Sequence, residues 1–236
     1  MKNNEIMKTL KEYKEHIEKD GLQVFAIALK GSQNYNLSDE ESDIDANLVF
    51  IPTLTQLREN EKYEYELEKG KVTCHNIYKF ADIVAKGNPQ WVEVCNTEYK
   101  IGDLSMFAHY KINPSALKGM LMEKVHAFSR LYPSRKKYVE EFGYDPKQLH
   151  HIIRLVHLLE KNVKVYKYTD EERDYMLDIK RGRFPYTFEE ATAMKDEYVR
   201  RLYKVYATRK SAYKEQVVDY DTIDSIVMQH YIEGMK

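Results

Sequence analysis

Asp43 and Asp45 flank a single apolar residue, Ile44, where the stretch "SDIDANLVFIP" turns from polar to apolar. A segment with that gradient reads as a strand whose first end reaches a solvent-facing site while the rest enters the core. Residues two apart on a strand project from one face, so the two carboxylates stand together. Side by side they repel, and burying even part of the pair is costly without a cation. Mg²⁺ is a hard ion that takes oxygen ligands and shares its shell with substrate phosphates. Just upstream, Gly31 lets backbone amides approach a phosphate closely and Ser32 offers a hydroxyl. The set frames a metal-bound nucleoside triphosphate; taken as a bare tripeptide it reads instead as a surface Asx turn with two solvated aspartates. An EF-hand loop is excluded, because its sixth and twelfth positions require glycine and glutamate and here hold Leu48 and Leu54.

A second constellation lies in "YDPKQLHHIIRLVHLLEKN". Asp145 is a good N-cap and Pro146 suits the first helical position. Leu149, Ile152, Ile153, Val156 and Leu159 form the buried side of this helix, while Lys147, His151 and Arg154 at i, i+4 and i+7 share a face away from Ile152 and Val156. Such a face presents several donors to phosphate, with arginine as a fork and lysine as a point charge. The competing reading is a solvated helix face. His150 and His157 belong to a neighbouring stripe that borders the core.

The elements that must hold these residues follow from periodicity. Ile6, Leu10, Tyr13 and Ile17 predict an amphipathic helix over residues 1–19. "LQVFAIAL" reads as a buried strand ended by Gly31, and Lys69-Gly70 as a hairpin turn between two extended pieces. A helix is expected over residues 79–86, closed by Gly87 and Asn88-Pro89. Further helices are expected over 169–179, 187–212 and 221–231. Mixed helix and strand signals give way to helical ones near Asn113-Pro114. The expectation is therefore an α+β chain with a core domain over residues 1–112 and a helical domain over 113–236 that closes the cleft.

Composition narrows the classes. The 236 residues are 43% hydrophobic and 32% charged, which excludes disordered and fibrous chains. No apolar run is long enough to span a bilayer and the polar start does not read as a signal peptide, so the expected location is the cytoplasm with no membrane partner. Cys74 and Cys95 are isolated and read as small buried hydrophobes. With a net charge of −1 nothing global calls for nucleic acid, although Arg135-Lys136-Lys137, "IKRGR" and the group Arg200, Arg201, Lys204, Arg209 and Lys210 are locally basic. Each cluster alone reads as a solvated face.

The Gly-Ser pair, the spacer and the acidic pair together resemble the core motif of the DNA polymerase beta superfamily of nucleotidyltransferases. "GSQNYN", "SDIDANLVF", "HNIYKFADIVAKGNPQWVEV" and "FGYDPKQLHHIIRLVHLLEKN", in that order, look like the RlaP family of nucleotidyltransferases associated with RNA ligases, over residues 28–182. The resemblance implies a polymerase-beta-like core, a mixed sheet with flanking helices, followed by a C-terminal helical domain. It implies Asp43 and Asp45 as catalytic metal ligands for two Mg²⁺ ions, and Gly31, Ser32, Ser42, Lys147, His151 and Arg154 as nucleotide-binding residues. The activity implied is transfer of a nucleoside monophosphate from a nucleoside triphosphate to an acceptor hydroxyl, with an RNA end (tRNA among the options) favoured and a place in RNA repair.

Two departures matter. Asn36 stands where the family has glycine, but asparagine tolerates left-handed backbone. The third carboxylate that such enzymes use as a base belongs on the strand at "KVTCHNI", which has no Asp or Glu. Glu66, Glu68, Glu41 and His75 are the substitutes within reach in sequence. The alternative is a catalytically inactive nucleotide- or RNA-binding module. Glu93 reads as a brace for the nearby turn or a catalytic group, and Trp91 as a packing anchor.

Overall fold

In the computed structural model, which describes residues 3–39, 42–59, 63–133 and 136–234, the chain divides into two units, Met1–Lys111 with Glu215–Lys236, and Ile112–Lys214. The first is built on a mixed five-stranded sheet with flanking helices. Helix α1, Asn3–Lys19, buries Ile6, Leu10, Tyr13 and Ile17, the residues whose spacing puts them on one stripe. Strands β1, Gln23–Lys30, and β2, Asp45–Ile51, are antiparallel. After the short helix α2, Leu54–Glu59, come β3, Tyr63–Leu67, and β4, Gly70–Asn76. Strand β4 runs parallel to β2, and the two-residue β5, Lys100–Ile101, completes the sheet order β3-β4-β2-β1-β5.

Alternation along the strands sorts the two faces. Ile27, Leu29, Ile44, Ala46, Leu48, Phe50, Val72 and Cys74 form one core with α1. The other face receives α3, Ile77–Ala85, and α4, Pro89–Cys95, where the Trp91 ring lies 4.8 Å from His75 and 5.7 Å from Phe80. Trp91 is thus the packing anchor its type suggests. Both cysteines are buried and free, and burial pushes the Cys74 thiol up to about 12.

The second unit is helical: α5, Pro114–Ala127; α6, Lys136–Phe142; α7, Pro146–Lys161; α8, Asp170–Lys180; and α9, Phe188–Ala212. Leu117 and Leu121 of α5, Ile152, Leu155, Val156 and Leu159 of α7 and Leu202 of α9 share its core. Asn113 and Asp145 cap α5 and α7 through their side chains, and Thr169 and Thr187 form capping boxes with Glu172 and Glu190. Arg201 makes a two-pronged bond to Glu160 at 2.9 and 2.6 Å, so one of the cations expected on a solvated face is a packing residue.

The expected helical domain over residues 113–236 is corrected at its end. Helix α10, Tyr220–Gly234, belongs to the first unit. Ile223 and Val227 are buried, Asp224 accepts from the Tyr78 hydroxyl at 2.7 Å, and the Tyr220 hydroxyl donates to Asp82. Lys111 and Gln216 exchange two bonds where the chain returns. Apolar periodicity announces a buried face but not the body that buries it. Among the described residues no helix is long and apolar enough to cross a membrane.

Candidate functional site

The turn after β1 is built by its own sequence. Gly31 has φ +99° and ψ −156°, a region that glycine alone enters cheaply, and space for a Cβ is open there. Ser32–Tyr35 make one 3₁₀ turn, closed by Asn36 in the left-handed conformation with φ 62° and ψ 30°. Asparagine therefore does serve the turn, as its tolerance of that conformation allows. The Asn36 and Leu37 amides both donate to the Ser32 carbonyl. Asn34 donates to the Leu29 carbonyl at 2.9 Å and accepts from Thr97 at 2.6 Å, and the Tyr35 hydroxyl donates to Glu93 Oε2 at 2.6 Å. Glu93 is 1% exposed, so this carboxylate braces the turn from inside the protein.

The acidic segment lies against that turn. Lys30 pairs with Asp45 across the β1–β2 ladder, so Gly31 leaves β1 beside the residue that precedes Asp45. Gln33 Nε2 reaches the Ser42 and Asp43 carbonyls at 3.5 Å each. Asp43 is exposed, Ile44 buried and Asp45 half-buried, the alternation expected of an extended chain. The hairpin turn between β3 and β4 holds the segment from the other side. Ile44 N–H donates to the Lys69 carbonyl at 2.8 Å, and a Cβ on Gly70 would come within 2.5 Å of the Ile44 carbonyl oxygen. Ser42, expected to bind nucleotide, is occupied locally: its hydroxyl donates to Asp39 Oδ1 at 2.6 Å and accepts from the Asp39 amide at 3.0 Å. It closes the loop into Asp43.

The carboxylates do not leave Asp43 and Asp45 without influence elsewhere. Burial first, then Asp45 and Asp43, push the Tyr13 phenol up to about 12. Asp45 Oδ1 accepts the Lys71 main-chain N–H at 3.0 Å, and Asp45 Oδ2 makes no hydrogen bond to the described residues. Asp43 and Asp45 Oδ2 suit a hard divalent ion that completes its shell with phosphate oxygens and water.

Beside Asp45 on this face stands a lysine, not a further carboxylate. Ala46 pairs with Val72 and Asn47 with Thr73, so Lys71 stands beside Asp45, with Glu66 opposite it on β3. Glu66 is therefore two strands from Asp45, roughly 9–10 Å at typical strand spacing, with Lys71 between. The Lys71 ammonium bonds to Glu64 at 2.7 Å, and that bond raises its pKa. Glu64, Glu66 and Glu68 are exposed, and among the described residues no three His, Cys, Asp or Glu side chains form a metal-binding group. Glu41 lies outside the described residues. His75 is buried against Trp91, a core position.

In the second unit, Lys147, His151 and Arg154 come together on α7. Burial, then His150, Arg154, Lys147 and Lys124, hold the His151 imidazole well below its ordinary 6.5, so it is neutral at physiological pH. Arg154 is buried to 8% exposure, while Lys147 and His151 are half-buried. Two cations, Lys147 and Arg154, and a neutral imidazole are thus gathered with a third cation, Lys124 of α5, which the sequence did not single out.

Sequence reasoning also missed Lys71 and Asn47. Asn47 is 1% exposed, follows Asp45 on the same strand face, and neither its amide nitrogen nor its oxygen has a hydrogen-bond partner among the described residues. The signal was present as the next alternate position of β2. Searches against protein-family models and against curated proteins give no match to this chain.

Proposed function

We propose that this chain is a Mg²⁺-dependent nucleotidyltransferase of polymerase-beta type, in the branch associated with RNA ligases, that moves a nucleoside monophosphate from a nucleoside triphosphate to an acceptor hydroxyl, an RNA end being the favoured acceptor. The observation that carries the reading is the juxtaposition of the Gly31–Asn36 turn with Asp43 and Asp45 across the Lys30–Asp45 pair. A bound divalent ion supplies charge neutralisation at the phosphates. Asp43 and Asp45 would hold it, and the Ser32 hydroxyl and the turn's amides orient the triphosphate; Lys147, His151 and Arg154 are a separate set of donors suited to phosphate on α7 of the helical unit. The acceptor oxygen bonds to the α phosphorus, the α–β phosphoanhydride bond breaks, pyrophosphate leaves, and the hydroxyl proton passes to solvent. Catalysis of this kind rests on positioning and charge. A cytoplasmic location belongs to the same reading.

A second reading is favoured by one observation: Lys71, not a carboxylate, stands beside Asp45. A nucleotide- or RNA-binding module without transfer activity would tolerate that ammonium. The two readings separate on pyrophosphate. Wild-type protein and Asp43→Asn/Asp45→Asn are titrated with each nucleoside triphosphate with and without Mg²⁺, then given an RNA pool. Metal-dependent binding lost in the double variant, with pyrophosphate released, supports the transferase. Binding without release supports the module, and wild-type protein that binds no nucleotide in a metal-dependent way rejects both.

A further inference from the structure

The resemblance implies two divalent ions on the acidic pair and a third carboxylate beside it. The sheet offers two carboxylates and a lysine. Lys71 is tied to the acidic pair by its own main chain, since its N–H donates to Asp45 Oδ1 at 3.0 Å, and its side chain leaves the sheet within the row Glu66, Lys71, Asp45. The position is the one from which a β4 carboxylate would have to reach an ion shared with Asp45. An ammonium there repels a second divalent ion where a carboxylate would attract it.

Charge points the same way. One divalent ion neutralises Asp43 and Asp45 and leaves nothing over for the polyanion; an adjacent ammonium restores a net positive charge. Lysine suits that task as a compact point charge on a flexible stem with three donors. Glu64 holds the ammonium at 2.7 Å, and both side chains are partly exposed, at 41% and 35%, so this pair is weak enough to be exchanged for a phosphate partner.

We propose that Lys71 is the site's own built-in cation, taking the place of a second divalent ion, and that Glu64 holds it until a triphosphate displaces the carboxylate. The proposal rests on the nucleotide-binding reading above and replaces its expectation of two ions with one.

Ion counting tests it without turnover. Mn²⁺ is titrated onto the full chain with an α,β-methylene nucleoside triphosphate, which cannot release pyrophosphate, and free Mn²⁺ is read by electron paramagnetic resonance. Wild-type protein is expected to hold one ion, and Lys71→Asp two. Lys71→Ala keeps the main-chain bond to Asp45 and so preserves the fold, which circular dichroism checks. It is expected to hold one ion and to bind the analogue about tenfold more weakly, the scale of one charged hydrogen bond, whereas Lys71→Arg retains affinity and Glu64→Gln binds more tightly. Two ions in the wild type, or unchanged affinity in Lys71→Ala, overturn the proposal while leaving nucleotide binding intact. Absence of any Mn²⁺-nucleotide complex in the wild type overturns the proposal together with the reading it rests on.

Discussion

The Lys71 amide donates to Asp45 Oδ1 at 3.0 Å, which ties one member of the acidic pair to the first turn of the neighbouring parallel strand. Asp45 therefore has a structural duty besides its electrostatic one. Asp45→Asn keeps an oxygen acceptor and removes the charge, and Asp45→Ala removes both. We expect metal-dependent nucleotide binding to vanish in both variants, while only Asp45→Ala loses stability, by about 1–3 kcal/mol for a hydrogen bond to a charged group. Urea melts beside nucleotide titrations separate the two duties.

Two glycines border the site for different reasons. Gly31→Ala meets open space but forces an alanine to φ +99°, a cost of about 1–3 kcal/mol from backbone strain alone. Gly70→Ala places its Cβ within 2.5 Å of the Ile44 carbonyl oxygen, so the acidic segment itself must move. Equilibrium denaturation should rank Gly70→Ala as the more damaging, and it should also weaken nucleotide binding.

Tyr35 and Glu93 are 58 residues apart in sequence and 2.6 Å apart in space. Tyr35→Phe removes one donor from a buried carboxylate. A loss of about 1–3 kcal/mol is expected, with weaker triphosphate binding because the turn it braces is loosened. Unchanged stability in Tyr35→Phe would show that the brace is not used.

Asn47 makes the opposite prediction. Its buried amide has no partner among the described residues, and replacing it with an apolar group of similar shape relieves that cost. Asn47→Leu should raise the urea midpoint, by up to about 1 kcal/mol of stability. A clear loss would mean that the amide is satisfied in solution.

His151 is held neutral in the folded chain by burial and by His150, Arg154, Lys147 and Lys124, and it titrates near 6.5 when unfolded. The unfolded chain then binds the extra proton, so stability is fully present above pH 6.5 and falls as the pH drops below it, by at most about 1.4 kcal/mol per pH unit for one proton. His157 is also held low, by burial and Arg201, and adds to the same limb. His151→Gln should flatten the acid limb of the stability profile in part, with His157 supplying the rest. A phosphate ligand near these cations would oppose the shift, so the limb should also shrink when phosphate is added.

Local chemistry was legible without coordinates. The α1 stripe, the β1 and β2 strands, the Asp145-Pro146 helix start and the left-handed tolerance of Asn36 all follow from periodicity, capping and backbone sterics, which act within a few residues. Asn113-Pro114 shows the limit of such signals: read as a boundary, it is also the N-cap and first residue of α5. Glu93, with its brace or catalytic readings both open from sequence, takes the first only because Tyr35 arrives beside it.

Tertiary structure decided what depends on partners distant in the chain. That α10 packs with the first unit and that Lys71 stands beside Asp45 are matters of pairing and register. The sequence by itself determined that two carboxylates, a glycine turn and a Lys-His-Arg helix face exist. Only the parallel pairing of β2 with β4 decided which residue neighbours those carboxylates, because a strand's period of two specifies a side chain's face but never the strand beside it.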